Sequence, residues 1–127
     1  MGKETLVGVD IEAGKAILAI LDTAELKIRV AMWAQLSDYE DARLVLSSRE
    51  FDRVGLIQAY HILHEALDAA GFPPEKSDLI MILSMSSPFI KPLRRIFGKA
   101  KSVEGMRLGL QTIGDRFVDD AYVYRIK

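Results

Sequence analysis

Asp10, Glu12 and Glu50 are the carboxylates whose placement could do chemistry. Asp10 ends an apolar run, Glu12 follows two residues later, and Glu50 stands at the expected first turn of a long helix. Brought within a few ångströms, such acids could hold paired magnesium ions for phosphodiester hydrolysis, since two mutually repelling cations need several anionic ligands. Otherwise Glu50 is a helix cap and the other two are solvated turn acids. His61, His64 and Glu65 form a second set, three and four residues apart on the same helix, which could direct ligands to one zinc ion. That set lacks the His-Glu-x-x-His order, and the chain has no cysteine to complete it.

A third constellation is cationic. Lys91, Arg94, Arg95, Lys99, Lys101 and Arg107 face a single acid, Glu104, within their own stretch, leaving the rest of the chain acidic. Phe89, Ile90, Leu93, Ile96 and Phe97 are interspersed, so the cations could share one face directed at the phosphates of nucleic acid or a nucleotide, or at an acidic protein surface. The alternative is a solvated amphipathic face, because neither a glycine-rich phosphate loop nor an RNA-binding aromatic motif accompanies them. Ser84, Ser86 and Ser87 fall at the carboxyl end of an expected strand, where α/β proteins place ligands. No histidine lies nearby in sequence to activate a serine nucleophile.

These side chains must be positioned by a chain of 127 residues, half of them hydrophobic, which suits one domain over 1–127. Seventeen basic and 18 acidic residues nearly cancel, so no global attraction to nucleic acid or anionic membranes is expected. The absence of cysteine excludes disulfides and thiolate chemistry and favours an intracellular protein. The longest aliphatic run, 16–21, is far short of a membrane span, and no basic segment precedes a long apolar one. A cytoplasmic, unsecreted protein that does not enter membranes is expected. Gly2 follows Met1, but Leu6 stands where a myristoylation signal needs Ser or Thr.

Val, Ile and Leu dominate 6–22, with Ala13 and Gly14 at its middle, which predicts a β-hairpin with strands 6–10 and 15–22. A third strand is expected over 27–34, and 37–46 reads as a loop or short helix. Ser47 and Glu50 have capping-box spacing before a helix whose apolar positions are Phe51, Val54, Ile57, Leu63 and Leu67, ended by Gly71, Pro73 and Pro74. Residues 78–83 predict a buried strand, parallel to the first and central in the sheet. Ser87 before Pro88 could cap a helical turn, but Pro92 would break a helix beginning that early, so the segment to Phe97 reads as two short turns or a helix starting near Pro92, closed by Gly98 in either case. Ser102 then caps a helix with an apolar stripe at Val103, Met106, Leu110 and Ile113, and alternation over 117–126 predicts a last strand.

The order β-β-β-α-β-α-β in a single-domain mixed sheet resembles the ribonuclease H-like superfold, which also underlies Holliday-junction resolvases and the halves of actin-like ATPases. Its opening hairpin is similar to VGVDIEAGKAILAIL, and the small residues Gly98, Ala100, Gly105 and Gly109 are similar to the resolvase helix after the fourth strand. The resemblance implies Asp10 as a metal ligand, with Mg2+ as the ion, and a divalent-metal-dependent nuclease or phosphohydrolase as one function. The sequence departs from that pattern where a second acid belongs, at Ser84, Met85 and Ser86, and the helix that those enzymes carry after the fifth strand is not supplied before Lys127. The actin-like pattern wants glycine where Glu12 stands. A non-catalytic binding or interaction module with a local basic patch is therefore the leading expectation. A homodimer is expected through the last strand, whose Tyr122 and Tyr124 and sparse charges would leave a sticky edge.

Overall fold

The fold begins on Asp10, whose carboxylate accepts a hydrogen bond from the Ala13 amide at 2.8 Å and so caps helix α1, Ile11–Thr23. In this computed structural model the described residues are Leu6 and 9–127. The expected hairpin is thus a helix. Ala13, Ile17 and Leu21 recur every four residues, with Gly14 and Leu18 beside them, and all five are buried. A continuous buried stripe of that period outweighs the β preference of Val and Ile, because each buried Ile or Leu contributes roughly 1.5–3 kcal/mol. Val7 and Gly8 of the first expected strand, and the Gly2 position, lie outside the described residues.

The remaining elements are β1 (Val30–Leu36), β2 (Arg43–Ser47), α2 (Arg49–Val54), α3 (Leu56–Ala69), a 3-10 turn (Pro74–Ser77), β3 (Ile80–Ile82), α4 (Ile90–Phe97), β4 (Arg107–Ile113) and β5 (Arg116–Ile126). Together they form a single-domain α/β fold on one mixed sheet of five strands, in the order β3-β2-β1-β5-β4. The pairs β2–β1, β1–β5 and β5–β4 are antiparallel, whereas β3 is parallel to β2. The parallel crossover runs β2–α2–α3–β3, as such a pairing requires. The 80–82 strand is therefore not central: it occupies the edge.

Three further expectations change. Residues 43–47 are β2 rather than loop or helix; Leu44 and Leu46 face one layer and Val45 the other, so a strand covered on both sides leaves no polar alternation. The helix of 47–71 is two, broken at Gly55, where φ is +90° and ψ is 161°. Its cap is Ser48, not Ser47, with Ser48 Oγ accepting the Glu50 amide at 3.0 Å, and Ile57 is fully solvated instead of buried. The expected helix of 102–113 is strand β4, joined to β5 by Gly114 and Asp115 with Ile113 paired to Arg116. Three glycines, at 105, 109 and 114, each weaken a helix by about 1 kcal/mol, and a Gly-Asp dipeptide between apolar runs is a hairpin signal. The observed order, α-β-β-α-α-β-α-β-β, therefore differs from β-β-β-α-β-α-β.

Cores lie on both faces of the sheet. On one, α1 and α3 pack Ile17, Leu21, Leu63 and Leu67 against Ala31, Trp33, Leu44, Leu46 and Ile80. On the other, α4 and its flanking loops bring Phe89, Ile90, Leu93 and Val103 onto Met32, Val45, Val118 and Val123. Helix α4 starts at Ile90 rather than near Pro92, with Phe89 as its N-cap and Ser87 Oγ accepting the Ile90 amide at 3.1 Å in the preceding turn; Pro92 falls within the first turn, where a missing N–H costs nothing. Strand β5 lies inside the sheet between β1 and β4, so the last strand offers no free edge; the edge strands are β3 and β4. No helix among the described residues is long and apolar enough to cross a membrane.

Candidate anion-binding cleft

Where β5 ends, five cations from four separate segments line one cleft of about 620 Å3. Lys15 comes from α1, Arg29 from the approach to β1, Lys101 from the α4–β4 loop, and Arg125 and Lys127 from the end of β5. Leu18, Val103, Tyr124 and Ile126 give the lining an apolar component, and Glu104 is its one acid among the described residues.

Each cation is placed by fixed backbone. A register shift in the β1–β5 pairing at Ala31/Met32 interrupts the alternation at the end of β5, so that Tyr124 is buried in the core under α1 and α3, Ile126 in the core on the opposite face, and Arg125 and Lys127 reach the cleft. The Lys127 amide donates to the Arg29 carbonyl at 2.8 Å, and its own carbonyl accepts from Arg94 Nε at 2.6 Å, so α4 and the segment before β1 both hold this end. The Gly105 amide donates to the Val123 carbonyl at 2.7 Å, and buried Val103 anchors the loop that carries Lys101.

Arg125 forms a two-pronged pair with Asp22, at 2.9 and 2.8 Å, and donates to the Ile28 carbonyl at 3.0 Å. That guanidinium holds the Asp22 carboxyl below its ordinary range, and Asp22 in turn raises Arg125. Among the described residues, Lys15, Arg29 and Lys101 have no carboxylate partner, while Lys127 adds its charge to that of Arg125 on Asp22. Arg29 is half-buried as well.

The six cations of the 91–107 stretch are divided by the fold. Lys101 alone lines the cleft. Arg94 is spent on the Lys127 carbonyl, Arg107 pairs with Asp120, and Lys91, Arg95 and Lys99 are exposed outside it. Lys15, Arg29, Arg125 and Lys127 stand far apart in sequence from that stretch, so no linear cluster signals them. The spacing of Arg125 and Lys127 by two in a strand is the one local hint.

The candidate metal acids are separated in role. Asp10 caps α1 and reaches Lys76 Nζ at 3.4 Å, and the Ala13 amide, followed by Lys76, holds its carboxyl below the ordinary value. Glu50 pairs with Arg53, which lowers its carboxyl too. Glu12 is exposed in the first turn of α1. His61 and His64 are exposed on α3 with Glu65, and the His64 ring stacks on Tyr60 with centroids 6.4 Å apart. No three His, Asp or Glu side chains among the described residues converge as a cation site.

Ser84 and Ser86 line a second cleft, of about 500 Å3, with Phe51, Asp52, Leu56 and Ile82. Their hydroxyls lie 3.0 Å apart, Ser84 Oγ accepts the Ser86 amide, and Asp52 accepts the Met85 amide at 3.0 Å, so the polar groups stabilise the turn after β3. Comparison of the chain with protein families, curated proteins and solved structures returns no match.

Proposed function

We propose that this protein is a non-catalytic binding module whose ligand is anionic and occupies the cleft at the end of β5. One observation carries the reading: five cations from four segments converge on one concave, partly apolar site, and three of them, Lys15, Arg29 and Lys101, have no carboxylate partner among the described residues. Counterion release makes such binding salt-dependent, so affinity for a phosphate-bearing probe falls steeply with added salt. Binding of oligonucleotides and of a glutamate-rich peptide, followed by fluorescence anisotropy over a salt series, tests the reading and separates nucleic acid from an acidic protein as the partner. Lys101→Glu with Arg29→Gln abolishes it, whereas Arg95→Glu, off the cleft, leaves it near the original value. Salt-insensitive binding, or binding indifferent to Lys101 and Arg29, overturns the proposal.

The rival reading is a divalent-metal-dependent nuclease or phosphohydrolase of the ribonuclease H-like kind. Asp10 caps α1 and pairs with Lys76, and Glu50 pairs with Arg53, which counts against it. Incubation with magnesium or manganese and branched, duplex and single-stranded substrates decides between the two, and cleavage lost in Asp10→Asn establishes the rival. Self-association into a homodimer belongs to the same proposal, through β4 rather than β5. The β4 edge carries one charged residue, and Leu110 is 69% exposed. Light scattering of the protein and of Leu110→Lys reads this directly: a monomer before substitution eliminates the dimer.

A further inference from the structure

We infer that the occupant of the cleft is an organic phosphate of about mononucleotide size, not the continuous backbone of a polynucleotide. The inference rests on the anion-binding reading above and narrows it to a class of ligand. Size is the first ground: about 620 Å3 lies inside the range of roughly 300–1,000 Å3 typical of small-molecule sites. A polynucleotide instead requires a track of cations along its backbone, with aromatic faces on which single-stranded bases stack. Neither is present. Lys91, Arg95 and Lys99, which would extend such a track, do not line the cleft, and Arg107 is engaged with Asp120. Tyr124 is the only aromatic residue in the lining among the described residues, and its hydroxyl is committed to Ile11 and Trp33.

The chemistry of the lining matches a phosphate attached to a less polar body. Arg29 offers a planar, half-buried guanidinium with no carboxylate partner among the described residues, suited to two phosphate oxygens at once. Lys15, Lys101 and Lys127 add mobile point charges around it. Leu18, Val103 and Ile126 supply apolar surface for a base or similar ring, which inorganic phosphate would leave unused. Glu104, the one acid of the lining among the described residues, accepts hydrogen bonds from ligand hydroxyl or amino groups and disfavours an unrelieved polyanion.

Isothermal titration calorimetry of the whole chain with nucleoside monophosphates, a sugar phosphate, inorganic phosphate and a short oligonucleotide tests this. Saturable binding of a mononucleotide or sugar phosphate, one per chain and tighter than inorganic phosphate, is expected. Arg29→Ala and, separately, exposed Lys101→Ala each weaken it roughly tenfold or more, the loss expected when a charge-assisted hydrogen bond is removed. The Lys101 variant keeps the test valid if the half-buried Arg29 site does not tolerate truncation. Oligonucleotide binding that strengthens with length and depends on Arg29 and Lys101, with no monophosphate bound, overturns this inference while leaving the anion-binding reading intact. Absence of binding by every one of these probes overturns this inference, and absence of binding by the glutamate-rich peptide as well overturns both.

Discussion

The Trp33 indole N–H donates to the Tyr124 hydroxyl at 3.1 Å, and that hydroxyl donates onward to the Ile11 carbonyl at 2.7 Å. This chain of two bonds fastens the first turn of α1 to the central strands, across 113 positions of sequence. Gly14 lies directly over it. A Cβ at that position would fall 2.8 Å from Trp33 Nε1 and closer still to the Tyr124 hydroxyl.

Gly14→Ala therefore destabilises the protein, although alanine is the better helix former by up to about 1 kcal/mol. Overpacking at a buried helix–sheet contact costs about 1–3 kcal/mol, so the clash wins over propensity. Ala16→Gly, on the exposed face of α1, loses propensity alone and gives the reference. Thermal denaturation of both variants checks this, and a Gly14→Ala protein more stable than the original contradicts the packing described.

Tyr124 also predicts an alkaline limit. Burial pushes its phenol up to about 12 from an ordinary value of 10.0. Between those pH values the unfolded chain has released the proton and the folded one has not, so stability is full below pH 10 and falls as pH rises, by about 1.4 kcal/mol per unit for one proton. Tyr124→Phe removes that slope and, by leaving the Trp33 N–H without its core partner, costs about 1–3 kcal/mol at neutral pH. Urea midpoints from pH 8 to 12 for the two proteins should converge with rising pH; parallel curves would count against it.

Gly55 poses the opposite case to Gly14. Nothing lies within 4 Å of a Cβ built there, yet its φ of +90° and ψ of 161° belong to a region essentially reserved for glycine. Gly55→Ala costs about 1–3 kcal/mol through backbone strain alone. Denaturant midpoints measure it. A gain in stability would mean that α2 and α3 can fuse into one helix without harm to the packing of Phe51 and Leu63.

The strength of local signals explains what could be read from sequence. The stop after α3 at Gly71, the end of α4 at Gly98 and the strands around 80–82 and 116–126 each carry their own breaker, apolar run or alternation, and these agree with the structure. Around Asp10 and Gly14 the same residues support two answers, a strand exit with a turn or an N-cap with a close helix contact. Only the packing of Gly14 on Trp33 and Tyr124, residues distant in sequence, decides between them. The basic cluster was legible as composition, but the cleft was not, because Lys15, Arg29 and Lys127 meet Lys101 only through the docking of β5 between its neighbours.

Asp22 joins stability to the cleft. Its two-pronged pair with Arg125 is partly solvated, with 40% of the Asp22 side chain exposed, so it contributes at most about 1 kcal/mol. Because Arg125 lowers the Asp22 carboxyl, that contribution is present above the unfolded value near 3.8 and is lost as pH falls through the lower folded one. Asp22→Asn should therefore be slightly less stable than the original at pH 7 and indistinguishable from it in strong acid, as guanidinium titrations at both pH values would read. In the cleft the effect has the opposite sign. Removing the carboxylate leaves Arg125 uncompensated beside Arg29 and Lys127, and affinity for a nucleoside monophosphate should rise severalfold, with a steeper dependence on salt. A fall in affinity instead would show that Asp22 serves mainly to aim the Arg125 guanidinium, and that its charge is not what limits binding.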